Sequence, residues 1–176
     1  MRIIPTAIPG VHVIEATPVA DDRGYFARTW DRDALEEAGL DTALHLCAVT
    51  QNRRRGTLRG MHFQRPPHAE TKFVRVTRGA IFDVALDLRP ESPTFRQWHG
   101  ETLTAENHRQ LYVPAGCAHG YLTLSDDAEL TYMLSAAYAP AHAGGVRYDD
   151  PAFAIEWPGP INVVAPRDAQ YPLVPR

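Results

Sequence analysis

Three side chains near the middle of the chain have types and spacing that suit acid–base chemistry. His62 and Gln64 lie two residues apart, and Lys72 follows eight residues after Gln64. A neutral imidazole is a good base near pH 7, and a fixed ammonium can stabilise a developing enolate oxygen. Together they suit removal of a proton from a carbon next to a carbonyl. The alternative for His62 is a hydrogen-bonded residue without a chemical role.

Lys72 is unusual because it is the only lysine among 18 basic residues, the other seventeen being arginine. A coding bias towards arginine explains most of this imbalance. Two interpretations of the remaining lysine stay open. Either it has no special role, or it holds a position where a compact ammonium is needed, since a guanidinium is a wide planar fork.

A second pattern is the segment Pro114–His119, which reads P-x-G-x-x-H. It is typical of cupin barrels, where a tight turn leads into a strand whose His faces the interior. Metal-binding cupins also carry H-x-H followed by Glu. Here Gln64 replaces the second His and Lys72 occupies the position of the Glu. A charged lysine has no lone pair, and two His alone make a weak metal site. We therefore expect no metal at this site.

The surrounding sequence predicts short strands after one helix. Asp31 is a suitable N-cap and Gly39 a suitable residue just beyond the helix end. Strands rich in β-branched and aromatic residues follow, separated by Gly, Pro and Asp turns. They are predicted at Thr57–Phe63, Thr71–Thr77, Ala80–Leu88, Trp98–Leu103, Gln110–Val113, Gly120–Leu124 and Glu129–Ser135.

These elements predict an all-β, cupin-type double-stranded β-helix, or jelly roll. The segment from Ala139 onwards is rich in Pro, Gly and Ala and is expected to wrap the barrel. Strict alternation would place Leu58, Gly60, His62 and Gln64 on one face of their strand, and Arg59, Met61 and Phe63 on the other. His62 and Lys72, on separate strands, would then face one interior.

The composition fits a single domain spanning residues 1–176. A net charge of −3 argues against nucleic-acid binding through bulk charge, and a hydrophobic content of 44% argues against a disordered chain. Two cysteines do not form a disulfide framework. We found neither a signal-peptide pattern nor an apolar stretch long enough to cross a membrane, so we expect a soluble cytoplasmic protein.

Across nearly its whole length the sequence resembles the dTDP-4-dehydrorhamnose 3,5-epimerase family. The resemblance begins at Asp22-Arg23-Gly24-Tyr25-Phe26 and is strongest at Gly56–Gln64. It continues through the remaining matching segments, which are Lys72–Arg75, Asp83–Arg89, Ser92–Phe95, Leu103–Asn107, Pro114–Tyr121, Tyr132, Tyr138, Asp149–Pro151 and Ile155–Pro158.

The resemblance implies a metal-free cupin jelly roll that forms a homodimer, in which a segment of one subunit completes the site of its neighbour. It implies a 4-keto-6-deoxyhexose substrate linked to a nucleotide diphosphate, and a reaction that needs no cofactor. It also implies catalytic roles for His62 as base, Asp168 as its partner, Tyr132 as the acid on the opposite face and Lys72 as the group that holds the keto or enolate oxygen. The expected substrate-binding residues are Arg23, Phe26, Arg59, Gln64, His119, Tyr138 and Arg167.

The sequence departs from the family pattern around the pocket rim. Arg28 stands where many members carry Glu, Leu46–Thr50 lacks the usual amides, and no carboxylate lies near Ala143. The nucleotide base, dTDP or CDP, therefore stays open, as does inversion at one carbon or two. Two other hypotheses are a metal-dependent cupin enzyme and a non-catalytic sugar-nucleotide-binding barrel.

Overall fold

The computed structural model describes residues 1–174 and consists mainly of antiparallel strands. The first half contains β1 (Arg2–Pro5), β2 (His12–Glu15), β3 (Val19–Asp21), β4 (Gly24–Phe26), α1 (Arg32–Glu37), β5 (Leu46–Asn52), β6 (Thr57–Gln64), β7 (Lys72–Arg78) and β8 (Ala80–Asp87). The second half contains β9 (Trp98–Thr104), β10 (Arg109–Val113), β11 (Cys117–Thr123), β12 (Ala128–Leu134), β13 (Ala143–Gly145), β14 (Val163–Val164) and α2 (Pro166–Ala169).

Two large sheets form the barrel. The first has the strand order β1-β2-β10-β7-β12-β5, and the second has the order β13-β6-β11-β8-β9, with β14 added in parallel to β6. The buried apolar core between them draws on both sheets and includes Val74, Leu111, Leu130, Ile81, Leu103 and Tyr121. The predicted cupin-type jelly roll is confirmed.

Helix α1 packs on the outside of the first sheet. The Asp31 side chain accepts a hydrogen bond from the Ala34 backbone N–H at 3.4 Å, and Gly39 follows the helix with φ +74°. Leu35 is buried with Leu40 and Phe73 against the outer face of this sheet. The predicted start and end of the helix are therefore confirmed.

The sequence analysis missed β1 to β5 and the short helix α2. Strands β1 to β4 have only three or four residues, so their alternation is too short to recognise, and β5 is an edge strand with mostly exposed side chains. The chain after Ala139 does wrap the barrel, since β13 and β14 both pair with β6 and Phe153 packs against the outer face of the second sheet.

Residues 175 and 176, which the predicted domain includes, lie outside the described part of the chain. Within residues 1–174, no helix is both long and apolar enough to cross a membrane.

Candidate active site

A β-bulge in β6 sets the geometry of the site. His62 lies opposite His119 of β11, whereas Arg59 lies opposite Tyr121. Between these pairs β6 has two residues, Gly60 and Met61, and β11 has only Gly120. One extra residue on one strand is the definition of a bulge.

The bulge corrects one prediction. Directly paired residues share a face of a sheet, and His119 and Tyr121 are two residues apart on β11. Arg59 and His62 therefore both face the barrel interior, whereas strict alternation had placed them on opposite faces. Leu58, predicted to share the face of His62, pairs with Leu122 and points the other way.

Gly60 is needed at the bulge for two reasons. Its φ is +134°, and a Cβ there would lie 2.5 Å from the Cα of Gly120. Its backbone N–H, which the bulge frees from the ladder, donates to Asp168 Oδ2 at 3.2 Å. The irregularity in β6 thus helps to hold a carboxylate from the far end of the chain.

That carboxylate pairs with His62. The distance from His62 Nε2 to Asp168 Oδ1 is 2.7 Å, and the His side chain is 31% exposed whereas that of Asp168 is 3% exposed. Burial alone would raise the pKa of Asp168, but the hydrogen bonds from His62 and Gly60 and the charge of Arg167 lower it overall. Asp168 therefore stays ionised and orients the imidazole.

The contacts of His62 favour one tautomer. Nε2 lies 2.7 Å from the carboxylate and 3.2 Å from Arg167 Nη2, and a protonated Nε2 can donate only to the carboxylate. Nδ1 then carries the lone pair, and it has no hydrogen-bond partner within residues 1–174. A partly exposed ring with a free Nδ1 is suited to accept a proton from a ligand.

Lys72 is the first residue of β7, which belongs to the opposite sheet. It lies across from Val113 and Leu134, so it faces the same barrel interior as Val74. Its side chain is 9% exposed, and its ammonium pairs with the carboxylate of Glu70, which is 8% exposed. The structure therefore places one buried cation on the sheet facing His62.

Tyr132 of β12 enters the interior from the same sheet as Lys72. Its ring centroid lies 5.9 Å from that of His119, which in turn lies directly opposite His62. Burial, together with the nearby Tyr121 hydroxyl and the Asp83 carboxylate, raises the pKa of Tyr132 well above its ordinary value. The phenol therefore remains protonated and is suited to act as an acid.

A second His–Asp pair was not predicted. His119 Nε2 lies 2.7 Å from Asp83 Oδ1, and both residues are buried. Asp83 Oδ2 has no hydrogen-bond partner within residues 1–174. The signal that could have revealed this pair was Asp83 itself. It lies on β8, which is mostly buried, and a buried carboxylate needs a hydrogen-bonding partner.

Further polar residues surround the mouth of the barrel. Asn52 Oδ1 accepts hydrogen bonds from Arg59 Nε at 2.9 Å and from the Tyr121 hydroxyl at 3.2 Å, which fixes the guanidinium. The Tyr171 ring lies 6.4 Å from that of His62 and was not predicted. The sequence alone could not predict this contact, because it depends on how the residues after α2 pack against β6.

Arg167 and Tyr138 lie at the same rim. Burial lowers the pKa of Arg167, but the neighbouring Tyr171 and Tyr138 and the Asp168 carboxylate raise it overall. The side chain of Tyr138 is well exposed, at 62%. These groups lie where a ligand that enters towards His62 would pass.

The structure places Gln64, which was expected to bind the substrate, in a buried position. It is 4% exposed, its Nε2 donates to three protein oxygens, and its Oε1 accepts from the Ala139 backbone N–H. All of its hydrogen-bonding groups are therefore engaged by the protein.

Arg23 and Phe26 are not brought to the site by their own chain. They lie on the exposed hairpin β3–β4, where Arg23 pairs with Asp21 at 2.5 Å and Phe26 is 69% exposed. Arg23 and Phe26 line a groove together with Met1 and Arg28, and none of the residues gathered around His62 lines it.

Within the described residues, no three His, Cys, Asp or Glu side chains are grouped so that they could hold a metal ion. His62 and His119 are instead each engaged by one carboxylate.

Comparison with known proteins adds to this geometry. The family model described as dTDP-4-dehydrorhamnose 3,5-epimerase matches residues 5–175. The chain is 41% identical over 175 residues to the dTDP-4-dehydrorhamnose 3,5-epimerase of Salmonella typhimurium, covering 99% of this chain and 96% of that protein. It is 39% identical over 169 residues to a dTDP-4-dehydrorhamnose 3-epimerase of Streptomyces niveus, covering 96% and 81%.

The fold is also similar to solved structures. The crystal structure of dTDP-4-dehydrorhamnose 3,5-epimerase from Bacillus anthracis, with TDP and PPi bound, matches with a TM-score of 0.94 and 39% identity. The match covers 98% of this chain and 99% of that chain.

Proposed function

Because the chain belongs to the dTDP-4-dehydrorhamnose 3,5-epimerase family, we propose that it inverts carbons 3 and 5 of a dTDP-linked 4-keto-6-deoxyhexose. The observation that carries the proposal is the set of groups facing one interior. His62 enters from one sheet, paired with Asp168 of α2, and Tyr132 and Lys72 enter from the other sheet.

The chemistry follows from these groups. His62 Nδ1 takes the proton from the carbon next to the 4-keto group, and the C–H electron pair becomes an enolate. The Lys72 ammonium stabilises the enolate oxygen. Tyr132 gives a proton to the opposite face of the carbon, so the centre is inverted, and exchange with solvent then restores both residues. The keto group itself acidifies carbons 3 and 5, so the reaction needs no cofactor.

The diphosphate of the substrate is assigned to arginines. Arg59 faces the interior beside the site, and a forked guanidinium binds phosphate oxygens in pairs. His119, Tyr138 and Arg167 line the path to His62 and are assigned to substrate contacts. The Bacillus anthracis relative binds TDP, which supports thymidine as the nucleoside.

Arg23 and Phe26 join the site only if a second copy of the chain supplies them. Their hairpin exposes three large apolar side chains, Val19 (71%), Tyr25 (57%) and Phe26 (69%), and such a patch favours burial in an interface. The proposal therefore includes a homodimer in which each hairpin reaches the partner's barrel. A cytoplasmic location is part of the same proposal, in keeping with the free thiols of Cys47 and Cys117.

Proton NMR in deuterated water tests this function directly. The protein is incubated with dTDP-4-keto-6-deoxyglucose, and the signals of the protons on carbons 3 and 5 are followed. We expect both to disappear as deuterium enters. A wild-type protein that exchanges no proton with this sugar, or with its CDP-linked analogue, would exclude the epimerase function and leave a binding role.

A second candidate is a mono-epimerase, which the similarity to the Streptomyces niveus 3-epimerase favours. It predicts loss of the proton signal at one carbon alone. The same experiment therefore separates the two, and a parallel trial with the CDP-linked sugar tests the nucleotide base.

A further inference from the structure

Two buried side chains outside the proposed chemistry, Gln64 and Glu70, connect Lys72 to the segment that carries Tyr138. One carboxylate oxygen of Glu70 accepts from the Lys72 ammonium. The other accepts from Gln64 Nε2 at 3.1 Å. Glu70 is therefore shared between a catalytic cation and a neutral amide.

Gln64 extends the connection to the chain that follows β12. Its Nε2 donates to the Ala137 carbonyl at 3.1 Å, and its Oε1 accepts from the Ala139 N–H at 2.6 Å. These two backbone groups lie on either side of Tyr138. The exposed Tyr138 side chain is thus carried by a segment that one buried amide holds at both ends.

We propose that Gln64 and Glu70 are positioning residues that fix the Lys72 ammonium and the Tyr138 segment relative to each other. The inference rests on the proposed function for the roles of Lys72 and Tyr138. It assigns to Gln64 a task different from contact with substrate.

The residue types fit this task. An amide both donates and accepts, so it can serve the Ala137 carbonyl, the Ala139 N–H and a carboxylate at once, whereas Glu or Met at position 64 could not. A lysine that is 9% exposed needs a nearby anion, which Glu70 supplies. A buried polar network whose members are all paired holds its groups in one arrangement.

Hydrogen exchange tests the connection without substrate. In the wild type, the Ala139 N–H is protected by Gln64 Oε1, and Gln64→Met should make a peptide that contains this amide exchange faster. Glu70→Gln should do the same, although the Glu70 carboxylate is hydrogen-bonded to Lys72 and Gln64 and not to residues 137–139. In that variant the amide N–H₂ group faces either Gln64 Nε2 or the Lys72 ammonium, and neither of these donors can accept a hydrogen bond from it. Unchanged exchange at Ala139 in Glu70→Gln overturns the proposal.

Kinetics supply the second measurement. Glu70→Gln should lower kcat about tenfold, because the ammonium is no longer held in place, and leave the Kd for dTDP within about twofold. An unchanged kcat, or equal losses in kcat and in dTDP affinity, counts against positioning of Lys72.

Thr71→Val is the matched control. Thr71 is a buried neighbour whose hydroxyl donates to Asp41, so its loss also removes a buried hydrogen bond. It should lower the melting temperature but leave both kcat and exchange at Ala139 unchanged.

Since hydrogen exchange is measured without sugar, a wild type with no epimerase activity would refute the proposed function alone. Changes at Ala139 in Thr71→Val equal to those in Glu70→Gln would refute the connection alone.

Discussion

Each reactive side chain in the barrel owes its chemical form to its neighbours. The pKa of Asp168 is lowered because His62 and Gly60 donate to it, so it remains an anion that orients the base. The pKa of Tyr132 is raised by burial and by nearby Tyr121 and Asp83, so it remains a proton donor. These opposite pKa shifts keep an anion beside the base His62 and a proton on the acid Tyr132 at the same pH.

Lys72→Arg tests the need for a compact ammonium. The substitution keeps the positive charge, but a planar guanidinium is too wide for a position that is 9% exposed and already in contact with Glu70. We expect kcat to fall at least about tenfold, while the melting temperature shows that the protein still folds. Steady-state assays measure the effect, and a near-normal kcat would mean that Lys72 is not involved in the chemistry.

At the residue scale, spacing alone singled out His62, Lys72 and His119, because they stand at the positions where a metal-binding cupin carries its ligands. Asp168 and Tyr132 were assigned only through the family resemblance, since nothing local marks them. The partners Asp83 and Glu70 were missed. Asp83 meets His119 through the register of β8 and β11, and sequence does not give that register.

At the scale of elements, the bulge in β6 does more than interrupt a strand. It turns Arg59 and His62 to one side and frees a backbone N–H for Asp168. The prediction from strict alternation was wrong here because side chains alternate with a period of two only where the hydrogen-bonded pairing of the strands is uninterrupted. The limits of α1 and of the predicted strands were otherwise confirmed to within one residue, except that β11 begins at Cys117 and not at the predicted Gly120.

Gly60→Ala should disrupt this bulge. A Cβ would lie 2.5 Å from the Gly120 Cα, and alanine rarely adopts a φ of +134°. We expect a loss of about 3 kcal/mol in the free energy of unfolding, measured in urea. Gly159→Ala is the control, because a Cβ there meets nothing within 4 Å. Equal stability of the two variants would show that the bulge does not require glycine.

The loop after β8 predicts a pH dependence of stability. Burial would raise the pKa of Asp87, but hydrogen bonds from Arg89, Ser92 and Thr94 lower it well below its ordinary value of 3.8. A carboxyl with a depressed folded pKa stabilises fully above pH of about 4, and the stabilisation is lost as the pH falls through the folded pKa.

Asp87→Asn should therefore cost about 3 kcal/mol at pH 7 and flatten the fall in stability below pH of about 4. Urea unfolding at a series of pH values measures both effects. Glu91→Gln, an exposed carboxyl in the same loop, is the control. If the free energy of unfolding of Asp87→Asn fell as steeply below pH of about 4 as that of the wild type, Asp87 would not be the cause of the acid destabilisation.

At the scale of the whole molecule, one chain does not gather every expected residue. Arg23 and Phe26 lie on an exposed hairpin, and the proposed site includes them only as residues of a second copy of the chain. Residue spacing did not predict this second copy, because an interface between copies leaves no pattern in spacing, and the homodimer was expected only from the family resemblance.

Mixing two inactive variants tests the shared site. Arg23→Ala removes the hairpin's contribution, and His62→Ala removes the base. If each hairpin serves its partner, a heterodimer of the two retains one complete site. Random co-assembly should then restore about a quarter of wild-type activity. Absence of any restored activity, or a monomer in sedimentation velocity, would contradict the shared site.

The central claim is that His62 removes the proton next to the keto group. The most direct measurement is the rate at which solvent deuterium enters carbons 3 and 5 of dTDP-4-keto-6-deoxyglucose, compared between the wild type and His62→Ala. We predict exchange at both carbons for the wild type, and exchange at least about a hundredfold slower for a variant with an unchanged melting temperature. Exchange by His62→Ala at the wild-type rate would contradict the assignment of His62 as the base.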